Sequence, residues 1–269
     1  MMSATVPPPV PPPPIRPLRQ RMADWLVWGG VAILLVISAK AVELDRFPLL
    51  FTNSANMREM GRAFLAPDFS LWPQYVANMW LTLQIALWGT TLAVLLAIPL
   101  GLAAARNVSP PWLQQPVRRL LDLFRAVPDL VIGTIFLVAV GLGPFPGVLA
   151  LTINTCGVLG KLFSEAVEAI DPRPVEGVRA VGAGPLHEVV WGVMPQVAPL
   201  WTSYALYRFE SNARAATVLG LIGAGGIGQQ LFESMQGFQY GQTAAIVIVI
   251  VVAVSLIDLL SQALRQRLL

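Results

Sequence analysis

VANMWLTLQIALWGTTLAVLLAIPLGLAAAR, residues 76–106, runs from Val76 to Ala105 without a charged side chain and stops at Arg106. A helix crossing the hydrocarbon core of a bilayer needs roughly 20 apolar residues, so this stretch spans with length to spare. Composition agrees: 55% of residues are hydrophobic and 12% charged, where an ordinary soluble domain carries about 25% charge. Mean hydropathy is +0.65. Working outward, five further apolar runs lie at about Trp25–Val42, Ala126–Leu142, Gly147–Val167, Val193–Gly223 and Thr243–Leu260. The expected fold class is therefore all-α: a polytopic membrane protein with about six transmembrane helices.

The charges between the runs orient them. Arg16, Arg19 and Arg21 precede the first run. Arg106, Arg118, Arg119 and Arg125 follow the second, Arg173 and Arg179 follow the fourth, and Arg265 and Arg267 follow the last. The alternate connections 143–146 and 224–242 are poor in charge, and 43–75 mixes both signs. Cytoplasmic loops carry the Lys/Arg excess, so both termini and the loops after the second and fourth runs are expected to be cytoplasmic. The net charge of +3 then reads as arginines facing anionic lipid, not nucleic acid, since no basic patch with interleaved aromatics is present. The opening MMSATVPPPVPPPPI is too proline-rich for a helix and is not read as a signal peptide. The organisation expected is a proline-rich cytoplasmic tail over 1–20, a first span and periplasmic loop over 21–75, and a core over 76–269.

Charges also occur inside the runs. Lys161 and Glu165 are four apart and would share a helix face. Arg208, Glu210 and Arg214 fall in the middle of the fifth run. Charges at membrane depth are costly and face a bundle interior or a water-filled path. Two readings stand: ion pairs that orient helices, or contacts to an anionic solute along a translocation path.

Enzymatic chemistry finds no constellation. His187 is the single histidine and Cys156 the single cysteine, within an apolar run. They allow no disulfide, zinc motif or Ser/His pair, so no catalytic or metal-binding residue is expected. GAGGIG, residues 223–228, only partly matches a dinucleotide fingerprint. It follows a membrane helix instead of a strand, and has no Lys-Ser/Thr ending to hold phosphate. Gly223, Gly225, Gly226 and Gly228 read instead as a flexible turn at the outer mouth, forming a gate or admitting a close neighbour.

The most informative loop is DPRPVEGVRAVGAGPLHEVVWGVMP, residues 171–195. Asp171 followed by Pro172 is a helix start, Gly182 and Gly184 break that helix, and Pro185 opens another. Val175, Val178 and Val181 form an apolar stripe among Arg173, Glu176 and Arg179. Periodicity leaves two readings: a docking element for a soluble partner, or an interfacial helix lying on lipid.

This loop resembles the cytoplasmic loop of bacterial ABC importer permeases, Glu-Ala-Ala, three residues, Gly, nine residues, Ile-x-Leu-Pro. Glu176, Gly182 and Pro195 hold the Glu, Gly and Pro positions at matching spacing. Gly177 and Val178 replace the alanines, and Gly192 and Met194 replace Ile and Leu. EAVEAIDPRPVEGVRAVGA, MPQV and YRFESNARAATVLGLIGAGGIG, with the second run and RRLLDLFRAVPDLV, are similar to the permeases of phosphonate importers over roughly residues 70–265. The resemblance implies a type I importer permease. Its coupling helix, here Glu176, Gly177, Val178, Arg179, Gly182, Ala183, Gly184 and Pro195, seats in a groove of an ATPase subunit. It implies as partners an ATPase dimer that uses ATP and Mg, a periplasmic phosphonate-binding protein and a second copy of this chain in the bacterial inner membrane. It implies that this chain binds no cofactor. The cargo implied is a phosphonate or phosphite-like oxyanion. Related permeases carry methionine and other small solutes. An intramembrane enzyme and an ATP-independent channel are the competing classes.

Overall fold

The computed structural model describes residues 18–52 and 54–268. The proline-rich tail expected over 1–20 therefore lies outside the described residues up to Pro17. Two compact units divide the chain, one ending at Glu59 and one beginning at Met60. The first contains α1 (Leu18–Ala41) and single helical turns at Leu44–Arg46 and Leu49–Thr52. Trp25, Trp28, Leu34 and Ile37 of α1 are exposed, a surface suited to lipid. Helix α2 (Ser54–Phe64) carries the chain across the boundary.

The second unit holds α3 (Trp72–Ala104), α4 (Pro111–Ala126), α5 (Asp129–Val140), α6 (Pro144–Glu168), α7 (Pro172–Ala180), α8 (Met194–Leu219), α9 (Gly226–Gln236) and α10 (Tyr240–Leu268). No strand occurs among the described residues. Four helices are long and apolar enough to cross a membrane, and six spans result if each of two bent pairs counts as one. The fold is the polytopic all-α one the hydropathy predicts.

Helix α6 is the central post, and small residues decide how closely α3 approaches it. Gly89, Ala93, Ala97 and Gly101 recur every fourth position, on one face of α3. A Cβ at Gly89 would lie 2.7 Å from Leu151 Cβ, and one at Gly101 2.8 Å from Phe163 Cβ. Lipid supplies no hydrophobic drive between apolar helices, so such close backbone packing is what holds them. On the other side of α6, Phe163 stacks on Trp201 of α8 with ring centroids 4.4 Å apart.

The third span differs from the expectation of one helix over Ala126–Leu142 preceded by a charged loop. The stretch read as loop is helix α4, which meets α5 at 87°. Val127 is extended, because Pro128 disfavours helical geometry in the residue before it and brings no N–H of its own. Asn154 Nδ2 donates to the Val127 carbonyl at 3.4 Å, satisfying a group that the break leaves open. Helix α5, at about 18 Å, is too short to cross alone. Helix α4 climbs α6 instead of lying loose: a Cβ at Gly157 would meet Phe124 Cβ at 2.7 Å and the Arg125 nitrogen at 2.8 Å.

Charges reinforce this seam. Asp122 of α4 accepts from Lys161 Nζ at 3.0 Å and pairs with Arg125 at 2.9 Å. Lys161 thus pairs across to α4, while Glu165, its expected partner on the same helix, is exposed. Near the foot of α6, Glu168 Oε1 accepts from the Arg106 backbone N–H at 2.8 Å and pairs with Arg118. Arg118 Nε also donates to the Ala104 carbonyl at 2.8 Å, tying the ends of α3, α4 and α6 together.

Helix α9 occupies the connection read as a loop over 224–242. It is bent by 59° from the segment ending at Ala224. Helix α10 is longer at both ends than its apolar stretch.

Candidate functional site

Two regions concentrate the polar chemistry: the 171–195 loop at one end of the bundle, and a cluster at mid-length.

In the loop, Asp171 Oδ1 accepts from the Arg173 N–H at 3.0 Å and caps α7. The helix ends at Ala180, and Gly182 turns the chain at φ +82°. A turn at Pro185–His187 and a π-type turn at Glu188–Val193 then lead directly into α8. Three ties fold α7 back onto this path. Arg179 donates to both Glu188 oxygens, at 2.9 and 2.7 Å. Gln196 Nε2 donates to the Asp171 and Gly192 carbonyls, at 3.2 and 2.7 Å. Val175 sits over Gly192, whose Cβ would come within 3.0 Å of Val175 Cα. The glycine at 192, a departure from the family pattern, is therefore what lets α7 lie so close.

Hydrogen bonding from Arg179 and its charge hold the Glu188 carboxyl below the usual carboxylate range. A carboxyl lowered in the fold adds stability above its unfolded value and loses it as pH falls through the lowered one. The clamp is thus complete at neutral pH. Glu176 and Arg179 border a groove of about 610 Å³ that also touches Asn107 and Glu168. Val181, Leu186 and Trp191 are 84%, 73% and 68% exposed, an apolar set beside exposed charge. Gly177 and Gly184 have open space where a Cβ would stand, Val178 and Ala183 are half-buried, and Pro195 is exposed.

The three charges of the fifth run separate onto different faces of α8. Arg208 points into the bundle. Its Nη2 donates to Thr155 Oγ1 at 3.2 Å and reaches Asn154 Oδ1 and Asn212 Oδ1 at 3.5 Å. Asn212 is fully buried; its Nδ2 donates to Thr90 Oγ1 at 2.8 Å and its Oδ1 accepts from Thr155 at 3.0 Å. Glu210 and Arg214 instead pair with each other at 3.1 Å and engage α10: Arg214 reaches Asp258 at 3.5 Å and Glu210 reaches Arg265 at 3.6 Å. Glu210 is the buried member, at 13% side-chain exposure against 48% for Arg214. Removing Glu210 takes the shared carboxylate from both Arg214 and Arg265 and leaves Arg214 only its 3.5 Å contact to Asp258, whereas removing Arg214 leaves Glu210 with Arg265. Glu210→Gln should therefore lower the unfolding temperature of the purified protein clearly more than Arg214→Gln, whose half-exposed pairs are worth about 1 kcal/mol or less. Equal shifts in a thermal melt would refute that ordering.

The sequence did not single out Asp129, Asn154, Thr155, Asn212 or Thr90. Asparagines within apolar runs were the available signal, because buried amides must find partners.

The GAGGIG turn is closely packed. Gly223, Gly225 and Gly226 have φ of +103°, +77° and +73°, a run of left-handed geometry that glycine adopts without cost. Gly226 lies against Thr82, whose Oγ1 accepts from the Ile227 N–H at 2.9 Å. Gly228, on α9, abuts the Thr217 carbonyl of α8. Among the described residues no cluster of His, Cys, Asp or Glu is placed to hold a metal.

Comparison with known proteins fits this geometry. Residues 97–269 match the family described as binding-protein-dependent transport system inner membrane component. The phosphite transport system permease protein of Stutzerimonas stutzeri is 39% identical over 247 residues, 90% of each chain. The phosphate-import permease protein of Mycolicibacterium smegmatis is 39% identical over 94% of this chain and 48% of its own. A putative cryptic phosphonate transport system permease protein of Escherichia coli is 62% identical over 44% of this chain and 98% of its own. Among solved structures, an inward-facing MetNI methionine ABC transporter shares the fold, with a TM-score of 0.64 at 20% identity over 75% of this chain and 99% of its own.

Proposed function

The chain belongs to the binding-protein-dependent transport system inner membrane components, and on that premise we propose that its cargo is a small phosphorus oxyanion, a phosphonate or phosphite. The chain is a membrane-spanning permease subunit of an ATP-driven importer, and ATP hydrolysis belongs to a separate subunit. The observation that carries the cargo is the 39% identity to a phosphite permease across 90% of both chains. The phosphonate permease relative at 62% identity supports it, and so does an arginine facing the bundle interior at mid-length. The fold shared with a methionine transporter does not bear on cargo at 20% identity. Phosphate is the competing oxyanion, favoured by the mycobacterial relative.

In this reading the 171–195 loop is the coupling element. Its exposed Val181, Leu186 and Trp191 and the groove beside Glu176 and Arg179 suit a seat on an ATPase subunit. That end faces the cytoplasm and both termini are cytoplasmic, a topology the arginine distribution favours. A periplasmic binding protein delivers the cargo to the opposite end, near the 223–228 turn. Two copies of the chain enclose the path, and an ATPase pair, using ATP and Mg, drives them between inward-open and outward-open states. Arg208 belongs to the path. Glu210 and Arg214 serve as the clamp between α8 and α10.

Growth on single phosphorus sources tests the reading. A strain lacking this chain, with its partner subunits intact and no redundant importer, should lose growth on methylphosphonate or phosphite and keep growth on phosphate. Loss on phosphate instead would move the cargo to phosphate. Unimpaired growth on all three would sink the oxyanion assignment.

A further inference from the structure

The polar cluster around Arg208 lies where the broken third span changes direction. Asn154 stands about 15 Å along α6 from Pro144 and about 21 Å from Glu168, near the middle of the membrane-crossing length. At that level α5 begins with Asp129, so a half-helix starts at mid-depth, with the positive end of its dipole there. Broken helices of this kind build solute sites in other transporters.

Two members of the cluster are left incomplete. Arg208 spends Nη2 on long contacts to neutral oxygens, while its Nε is buried without a partner. A guanidinium carries five N–H donors in a rigid fork, so most of its capacity is unused. Asp129 Oδ1 is likewise buried without a partner. No ion pair joins Asp129 to Arg208. In a low-dielectric interior two such charges attract strongly. Packing fixes the position of α5: a Cβ at Gly133 would meet Leu219 Cδ2 at 2.8 Å and Ile222 Cδ1 at 3.3 Å, and Asn154 pins the Val127 carbonyl just before Asp129.

Asn154 links the two places, its Oδ1 reaching Arg208 and its Nδ2 the Val127 carbonyl two residues before Asp129; an under-used donor fork and an unpartnered acceptor oxygen define the chemistry that satisfies both. The guest must offer acceptor oxygens to Arg208 and one hydroxyl proton to Asp129. We propose that Arg208 and Asp129 form a mid-depth subsite for a singly protonated tetrahedral oxyanion, Arg208 holding its charged oxygens and Asp129 accepting from its O–H. The proposal rests on the phosphorus-oxyanion reading and adds a rule of selection. A phosphonate monoanion carries the required O–H. Sulfate carries none and would set an oxygen against the carboxylate, leaving both acceptors unpaired. A site built around a hydroxyl rejects the analogue that lacks it.

The test is equilibrium binding to the purified complex of this permease with its ATPase, free of nucleotide, using methylphosphonate, dimethylphosphinate and sulfate. Dimethylphosphinate has the same single charge as methylphosphonate but no P–OH. A charge-assisted hydrogen bond supports a preference of about 10- to 100-fold. Wild type should favour methylphosphonate over both other anions by at least about tenfold. Asp129→Asn should erase the preference over dimethylphosphinate, and Arg208→Gln should weaken all three. Should Asp129→Asn fail to copurify with the ATPase, the wild-type preference for methylphosphonate over dimethylphosphinate decides the point alone. Equal binding of those two anions by wild type, no binding of any, or an unchanged preference in Asp129→Asn overturns the subsite. Uptake of methylphosphonate by the reconstituted importer without such a preference overturns the subsite and leaves the cargo reading standing. Absence of uptake of any phosphorus oxyanion overturns both.

Discussion

Gly228→Leu is expected to remove folded permease from the membrane. Helix α9 crosses the end of α8 at glycine: Gly228 meets the Thr217 carbonyl, and a Cβ at Gly220, just past α8, would lie 2.7 Å from the Gly225 carbonyl and 2.8 Å from Gly228 Cα. The obstacle is backbone, which no rotamer relieves. Overpacking a core costs about 1–3 kcal/mol when side chains can adjust, and here they cannot. A loss above about 3 kcal/mol is a large share of a typical stability of about 5–15 kcal/mol. Gly228→Ala should also fail, because Cβ itself is the colliding atom. Gly184→Ala is the control, with open space around its Cβ, and should stay within about 0.5 kcal/mol of wild type. Membrane yield and thermal unfolding measure all three. Wild-type accumulation of Gly228→Ala would show that α8 and α9 are not so close.

Gly182→Val is expected to leave the protein folded and inserted but to cut coupled uptake at least tenfold, on the order of the effect of a 1.4 kcal/mol change in docking. The position is exposed, and nothing stands within 4 Å of its Cβ, so bulk is not the difficulty. The φ of +82° is. A β-branched residue in left-handed geometry strains the chain by roughly 1–2 kcal/mol. Relaxing that strain moves Val181 and Leu186, the exposed side chains on either side of the turn. Gly182→Asn isolates the cause, because asparagine tolerates left-handed backbone and should retain most uptake. The paired readouts are uptake and ATPase stimulation by the loaded binding protein in proteoliposomes. Normal coupling in Gly182→Val would remove the turn from the docking role.

Helices α3, α6 and α10 were legible in the sequence because lipid selects long apolar runs that need no knowledge of their neighbours. The start of α7 was legible for a local reason, the Asp171 cap followed by Pro172. Helix α4 was not, because Arg118, Arg119, Asp122 and Arg125 read as a polar connection. Arg118 and Asp122 are matched by Glu168 and Lys161 of α6, partners far away in the chain, and the apolar face with Leu121 and Phe124 is covered by α6. Pro128 marked a boundary, but its meaning depends on Asn154 meeting the open Val127 carbonyl. Within the cluster, Arg208 was visible as a charge in an apolar run. Nothing in the sequence marks Asp129, since its isolation is a property of packing. The opposite facing of Arg208 and the Glu210–Arg214 pair follows from helical angle, yet which face meets α6 and which meets α10 is a tertiary fact.

The π-type turn Glu188–Val193 runs into helix α8 at Met194 without a break. It holds one residue more than a regular helical turn requires, but it stays helical. The loop is therefore not a tether to α8; it ends in the same rod. Arg179 grips that rod at Glu188, and Arg208 stands on it about 21 Å beyond Met194 at 1.5 Å per residue. A load on the loop meets no slack before it reaches mid-depth, as a hand on a crank handle moves the shaft at once.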